Sequence, residues 1–85
     1  MPDLDIPRKR ALYRATHRGT KELDILLGRF AEHYVHTMAP PELAAFEEFL
    51  ASPDPDIEQW MRTGEAPAAF AQVVVRLRAF HGLGE

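Results

Sequence analysis

A chain of 85 residues, 46% hydrophobic and 27% charged, has the length and balance of one small globular domain, which leaves little room for a second core or a deep substrate cavity. The absence of cysteine excludes disulfides, thiolate zinc sites and cysteine nucleophiles. The net charge of −3 conceals an asymmetry, because six of the ten basic residues lie within residues 1–21 against only two acids there, and such a distribution can steer a partner of complementary charge.

The first predicted helix begins at Asp5-Ile6-Pro7 and ends near His17, with Pro7 supplying the fixed φ that suits a first turn. Its apolar stripe is thin and consists of Ala11, Leu12 and Ala15. The arginines lie mostly on the other side of the helix: Arg8, Arg10, Arg14 and Arg18. This helix therefore combines a small buried face with a strongly basic one.

Gly19 is predicted to end the first helix in the left-handed conformation, and Thr20 to cap a second helix that runs from Lys21 to about Met38. The second helix has the strongest helical periodicity in the chain, in Leu23, Leu26, Leu27, Phe30, Tyr34 and Met38. Gly28 lies inside it at a cost of about 1 kcal/mol relative to alanine. That glycine indicates either close packing of a neighbouring helix or a surface kept flat for a partner.

A third helix is predicted to begin after the proline pair at residues 40–41, with an apolar stripe formed by Leu43, Phe46, Phe49 and Leu50. A short fourth helix follows, capped by Ser52 or Asp54, and Gly64 ends it. Its inward residues are Ile57, Trp60 and Met61. Trp60 is interpreted as a core or boundary residue rather than a ligand platform.

The fifth predicted helix begins near Pro67 and is closed by Gly82, with Phe70, Val73, Val74 and Leu77 facing inward. Three consecutive valines are also typical of a strand, but the sequence offers no second strand for them to pair with. The predicted fold is therefore all-α: a compact, single-domain five-helix bundle over residues 1–85, with an ordered core of about residues 7–82.

The N-terminal stretch MPDLDIPRKR lacks the apolar run of a secretory signal, and nowhere does the chain have eighteen consecutive apolar residues. We therefore expect no membrane association and a soluble protein. Its expected location is the bacterial cytoplasm, or the mitochondrial matrix if the source is eukaryotic and the chain is processed.

Few residues offer chemistry of their own. His33 and His36, with Glu32 beside them, could hold a metal ion only with a third ligand from elsewhere, and the chain has no HExxH pattern. The sequence also lacks a nucleophile elbow, a phosphate-binding loop and a dinucleotide fingerprint. We expect surface or boundary histidines, no metal site and no enzyme activity.

The basic first helix permits a nucleic-acid interface, but the acidic net charge and the lack of an aromatic or amide set for bases disfavour one. A solvated basic face is the better interpretation from charge alone.

The segment HRGTKELDILLGRF, residues 17–30, raises a sharper question. Helix ends explain Gly19 and Thr20, and the helix macrodipole explains Glu22 and Asp24, but neither explains Arg18. An arginine and a glutamate four positions apart on a rigid corner form a two-sign patch able to bind a polar protein surface. From these residues alone, a docking patch and a helix cap are equally good accounts.

The sequence Arg18-Gly19-Thr20-Lys21-Glu22 fits the R-G-x-x-E signature of the small succinate dehydrogenase assembly factors that promote flavinylation, whose bacterial members were once labelled antitoxins. The resemblance continues downstream in Leu23, Asp24, Ile25, Phe30 and Glu32, and in a second hallmark formed by Asp56, Ile57 and Trp60. It covers roughly residues 8–80, and the family adopts a five-helix fold. R-G-x-x-E alone is a weak pattern, whereas the combination is specific.

The resemblance implies that the protein binds the flavoprotein subunit of succinate dehydrogenase, with fumarate reductase as a further candidate client, and assists covalent attachment of FAD to a histidine of that subunit. It implies that Arg18, Gly19 and Glu22 bind this partner, with Asp24 in support. In that hypothesis Arg18 pairs with a client carboxylate, Glu22 pairs with a client basic group, and Gly19 lets the client approach closely.

The same resemblance implies a helper that orients its client and is not itself the catalyst. FAD then belongs to the client, so no stably bound cofactor is expected, and the free protein is expected to be a monomer. The alternative is an antitoxin-like or regulatory module that binds nucleic acid or a toxin protein through Arg8, Lys9 and Arg10.

Overall fold

A computed structural model describes residues 5–83, with side chains from Ile6 onward, and this part of the chain is built from helices. The helices are α1 (Asp5–Thr16), α2 (Lys21–Tyr34), α3 (Pro40–Leu50), α4 (Asp54–Thr63) and α5 (Ala71–Phe80), with 3-10 turns at Val35–Thr37 and Ala68–Phe70. The predicted all-α, five-helix fold is confirmed. Asp3, which enters the predicted charge asymmetry, lies outside the described residues. Within residues 5–83, no helix is both long and apolar enough to cross a membrane.

Small residues allow α1 and α2 to pack closely. Ala11 and Ala15 of α1 are completely buried, and Gly28 of α2 is buried opposite Thr16. A Cβ atom at Gly28 would lie 3.0 Å from Cγ2 of Thr16, which is tighter than an ordinary van der Waals contact. Close helix packing is therefore the correct explanation of this glycine.

Aromatic rings form the centre of the core. Phe30 of α2 and Phe46 and Phe49 of α3 are buried, and the rings of Phe30 and Phe46 lie 5.7 Å apart between centroids. Trp60 of α4 is half-buried at the edge of this cluster, 6.0 Å from Phe49 and 5.6 Å from Phe70. The interpretation of Trp60 as a boundary residue is confirmed, and each buried phenylalanine contributes about 1.5–3 kcal/mol of burial free energy.

Two predicted helix boundaries are shifted near the proline pair. The regular part of α2 ends one turn before Met38, because the last turn tightens into the 3-10 helix and Ala39 adopts an extended conformation (φ −70°, ψ 158°) before Pro40. The third helix begins at Pro40 instead of after the pair, since the first turn of a helix leaves its N–H groups without intrahelical partners. The guanidinium of Arg8 binds the carbonyl oxygens freed at Val35 and Met38.

The glycines at the helix ends have different roles. Gly64 ends α4 with φ 80°, and Gly82 follows α5 with φ 72°, so both predicted terminators are confirmed. The left-handed conformation predicted for Gly19 is wrong, because Gly64 and Gly82 are the described glycines that have positive φ.

Candidate functional site: the corner between α1 and α2

The side chains of Thr20 and Asp24 stabilise the turn between the first two helices, residues 17–22, which is called the corner below. Thr20 caps α2, as predicted, by accepting a hydrogen bond at Oγ1 from the N–H of Leu23 at 3.2 Å. The carboxylate of Asp24 accepts a hydrogen bond from the backbone N–H of Arg18. Asp24 therefore stabilises the shape of the turn from within the chain.

The guanidinium of Arg18 lies between the C-terminus of α3 and the N-terminus of α4. Nη1 donates to the carbonyl of Leu50 at 2.6 Å, and Nη2 donates to the carbonyl of Ser52 at 3.1 Å. Asp54 Oδ1 accepts from Nη2 at 2.7 Å and from Nε at 3.0 Å. Because α3 has no basic residue in its own last turn, Arg18 supplies the positive charge that its C-terminal carbonyls favour.

The two-sign patch predicted for this corner requires an exposed Arg18, and that part of the prediction is wrong. Its side chain is only 10% exposed, because its donors are bound by carbonyls and a carboxylate of the same chain. A direct ion pair with a client carboxylate would require Arg18 to give up Asp54, and breaking a sheltered, hydrogen-bonded ion pair is costly.

Asp54 also explains the glycine at position 19. The backbone N–H of Gly19 donates to Asp54 Oδ2 at 2.8 Å, and a Cβ atom at Gly19 would lie 2.6 Å from that same oxygen. Any other residue would therefore displace the carboxylate. The close approach that the sequence predicted for a client is made within the chain by Asp54.

The capping role predicted for Asp54 is also wrong. Pro53 is the N-cap of α4 and Asp54 is the first helical residue, so its carboxylate turns toward Arg18 and Gly19 instead of capping its own helix. Burial raises the pKa of Asp54, but the hydrogen bonds from Arg18 and Gly19 and the charge of Arg18 outweigh burial and hold this pKa below its ordinary value.

Sequence reasoning missed Asp54 as part of the site. In SPDPDIEQW it is one of two aspartates that each follow a proline, and the second hallmark draws attention to the other, Asp56, which is exposed. Its separation of 36 residues from Arg18 leaves no local signal for the pairing.

Glu22 is the charged motif residue that remains at the surface. It is exposed in the first turn of α2, where the helix dipole favours an anion, and among residues 5–83 it forms no ion pair. It lies on the rim of a shallow groove between α2 and α4. The other lining residues are Leu23, Leu26, Glu58, Met61, Arg62 and Leu83. The lining of the groove thus mixes four apolar side chains with two carboxylates and one guanidinium.

The remaining predicted candidates lie elsewhere. His33 and His36 are exposed, and in the described part of the chain no three metal-ligating side chains come together. Arg10 forms a bidentate ion pair with Glu47 of α3, at 2.7 and 3.0 Å. The nucleic-acid or toxin alternative depends on three cations, and two of them, Arg8 and Arg10, have partners in the same chain.

Fold and site together define a small all-α domain with an exposed carboxylate, that of Glu22, on a braced helix corner beside a groove of mixed apolar and charged lining. The family model described as "Flavinator of succinate dehydrogenase" matches residues 9–81, and the chain belongs to this family.

Relatives are found in bacteria and eukaryotes. The chain is 46% identical over 54 residues to the FAD assembly factor SdhE of Acetobacter pasteurianus, a match that covers 64% of the chain and 50% of the relative. It is 37% identical over 75 residues to the mitochondrial succinate dehydrogenase assembly factor 2 of Dictyostelium discoideum, covering 87% and 53%. It is 32% identical over 83 residues to the FAD assembly factor SdhE of Acinetobacter baylyi, covering 94% and 96%.

The matches to the Acetobacter and Dictyostelium relatives span about half of those proteins. No solved structure matches the chain significantly.

Proposed function

We propose that this protein binds the flavoprotein subunit of succinate dehydrogenase and promotes the covalent attachment of FAD to it. Family membership and the names of the relatives support this function. The observation that supports placing this function at the corner is the exposed carboxylate of Glu22, which lies next to the groove between α2 and α4.

In this proposal Glu22 pairs with a basic side chain of the flavoprotein subunit, and the groove receives an apolar side chain beside it. The groove's excess of carboxylates supports a basic partner segment. Arg18, Gly19 and Asp24 contribute to binding by fixing the corner, since their polar groups are bound within the chain.

The chain acts as a helper, and the flavin and its acceptor histidine both belong to the client. Holding two client groups at attack distance accelerates their reaction by orientation alone, and well-oriented intramolecular reactions reach effective molarities of about 10⁵ M or more. Such a helper needs no acid, base or nucleophile of its own. It also needs no bound FAD, so we propose that free FAD is not held stably.

We also propose a second client, an oligomeric state and a cellular location for this interaction. Fumarate reductase is a second client, and the free factor is a monomer. The interaction takes place in the bacterial cytoplasm, or in the mitochondrial matrix in a eukaryote.

A pull-down of the flavoprotein subunit tests the function. The tagged chain is co-expressed with that subunit, and covalent flavin in the captured subunit is measured by fluorescence after denaturing electrophoresis. We expect capture of the subunit and a covalent flavin signal that falls strongly when the chain is omitted. Equal signals with and without the chain would contradict the proposal.

The antitoxin-like or regulatory alternative is not favoured, because Arg8 donates to backbone carbonyls and the exposed Arg10 is paired with Glu47 of the same chain. It requires a DNA or RNA affinity that falls steeply with salt, since each neutralised phosphate adds about −0.9 to the slope of log K against log salt concentration for duplex DNA. A titration of labelled duplex at several salt concentrations measures that slope.

A further inference from the structure

We infer that Asp54 is a positioning residue of the R-G-x-x-E corner: its carboxylate holds Arg18 and Gly19 in place and so fixes the position of Glu22 relative to the client. This inference rests on the proposed function. It adds to the motif a residue that lies outside it, on a different helix.

One carboxylate forms both contacts. Oδ1 accepts from the guanidinium of Arg18 and Oδ2 accepts from the N–H of Gly19, so the group bridges a side chain and the backbone of the corner. The Arg18 side chain is 10% exposed and that of Asp54 is 23% exposed, so this ion pair is sheltered from water and less weakened by salt than an exposed pair.

The bridge connects the two helices that line the groove. Asp54 is the first residue of α4, which carries Glu58, whereas Gly19 lies two residues before α2, which carries Glu22. Without the bridge, the corner loses its hydrogen bonds to the first residue of α4. The separation of Glu22 from Glu58 would then vary, and a displacement of about 1 Å is enough to impair an oriented complex.

This geometry changes the explanation of Gly19. In the sequence-based hypothesis, glycine is needed so that the client can approach the backbone. The structure assigns that approach to Asp54, whose oxygen would lie 2.6 Å from a Cβ atom at position 19. The two explanations predict different behaviour for a double variant, because only the internal one makes the cost of a side chain at position 19 depend on Asp54.

The test compares four proteins: the wild type, Gly19→Ala, Asp54→Ser and the double variant. Serine has no carboxylate. Because it is also shorter than aspartate, it leaves space for the Cβ atom of alanine at position 19. The initial rate of covalent flavin formation in the purified flavoprotein subunit with FAD is measured against factor concentration. Circular dichroism at the assay temperature verifies that each variant is folded.

We expect each single variant to raise the factor concentration that gives half-maximal rate by about tenfold or more. In the Asp54→Ser background, we expect Gly19→Ala to cause no further loss. The amide proton of Gly19 should also move upfield in the NMR spectrum of Asp54→Ser, because its charged acceptor is gone. Glu47→Gln, which breaks the ion pair between Arg10 and Glu47 that joins α1 to α3, is the matched control and should flavinylate as the wild type does.

If Asp54→Ser is unfolded, Asp54→Asn replaces it. The amide oxygen of asparagine can still accept a hydrogen bond from Arg18, but its NH₂ group cannot accept one from the N–H of Gly19. A folded Asp54 variant with wild-type concentration dependence would overturn the inference, and so would losses that multiply when Gly19→Ala is combined with Asp54→Ser, the variant that leaves space for the Cβ atom. If the wild type itself produces no covalent flavin, the proposed function fails. A wild type that works alongside an equally active Asp54 variant removes only the positioning role.

Discussion

Arg18 and Glu22 belong to one short motif but have different environments. The guanidinium of Arg18 is used inside the chain, where it binds the end of α3 and the first residue of α4. The carboxylate of Glu22 is exposed and forms no ion pair within residues 5–83. The motif therefore divides into a residue that braces the corner and a residue that is exposed at its surface.

Replacing Glu22 by glutamine should separate binding from folding. Because Glu22 is exposed, we expect the free energy of unfolding to change by less than about 0.5 kcal/mol. The neutral side chain cannot pair with a cation, so capture of the flavoprotein subunit should weaken and covalent flavin should fall. Urea denaturation and the pull-down measure the two effects. Glu48→Gln, an exposed acid of α3, is the control, and an equal effect of both variants would contradict a specific role for Glu22.

The pKa of Asp54 predicts a pH dependence of stability. The carboxyl has its ordinary value, 3.8, in the unfolded chain and a lower pKa in the folded one. Its stabilising contribution is therefore complete well above pH 3.8 and is lost as the pH falls below 3.8 through the folded pKa. Thermal unfolding of the wild type and of Asp54→Asn should consequently differ most near neutral pH and converge in acid. A constant difference across that range would contradict the assigned ion pair.

At the scale of elements, helix type and burial could be predicted from the sequence, whereas side-chain partners could not. The 3.6-residue spacing of Leu23, Leu27 and Phe30 identified the buried face of α2, since burial of an amphipathic face is a local property. Helix ends were less predictable near prolines. Residues 35–37 form a 3-10 turn, because an extended residue must precede Pro40.

The contact between α1 and α2 gives a prediction about packing. Gly28→Val should destabilise the protein by about 1–3 kcal/mol, because its side chain would force the two helices apart. The effect of Gly28→Ala is a balance of two opposing terms. Its Cβ atom would lie 3.0 Å from the methyl group of Thr16, whereas alanine improves helix propensity by about 1 kcal/mol.

Thr16→Ser removes that methyl group and retains the hydroxyl that binds the carbonyl of Leu12. We therefore expect Gly28→Ala to be more favourable in the Thr16→Ser background than in the wild type, as measured by chemical denaturation. Identical effects of Gly28→Ala in both backgrounds would mean that Thr16 does not set the limit.

At the scale of the whole molecule, the fold converts much of its basic N-terminal charge into internal bonds. Arg8 binds the turn after α2, Arg10 binds α3 through Glu47, and Arg18 binds both ends of the α3–α4 connection. Composition revealed the charge asymmetry but could not indicate this use of it, because these contacts join residues 27 to 37 positions apart. The motif and family could be identified from local patterns, whereas the partial burial of Arg18 and the hydrogen bonds of Asp54 required the tertiary structure.

The measurement closest to the central claim is a time course of covalent flavin attachment. The flavoprotein subunit of succinate dehydrogenase is purified without flavin and then mixed with FAD. We predict that wild-type factor accelerates covalent attachment, and that Glu22→Gln, although folded, does so only weakly. Equal rates with wild-type factor, with Glu22→Gln and with no factor would contradict the account.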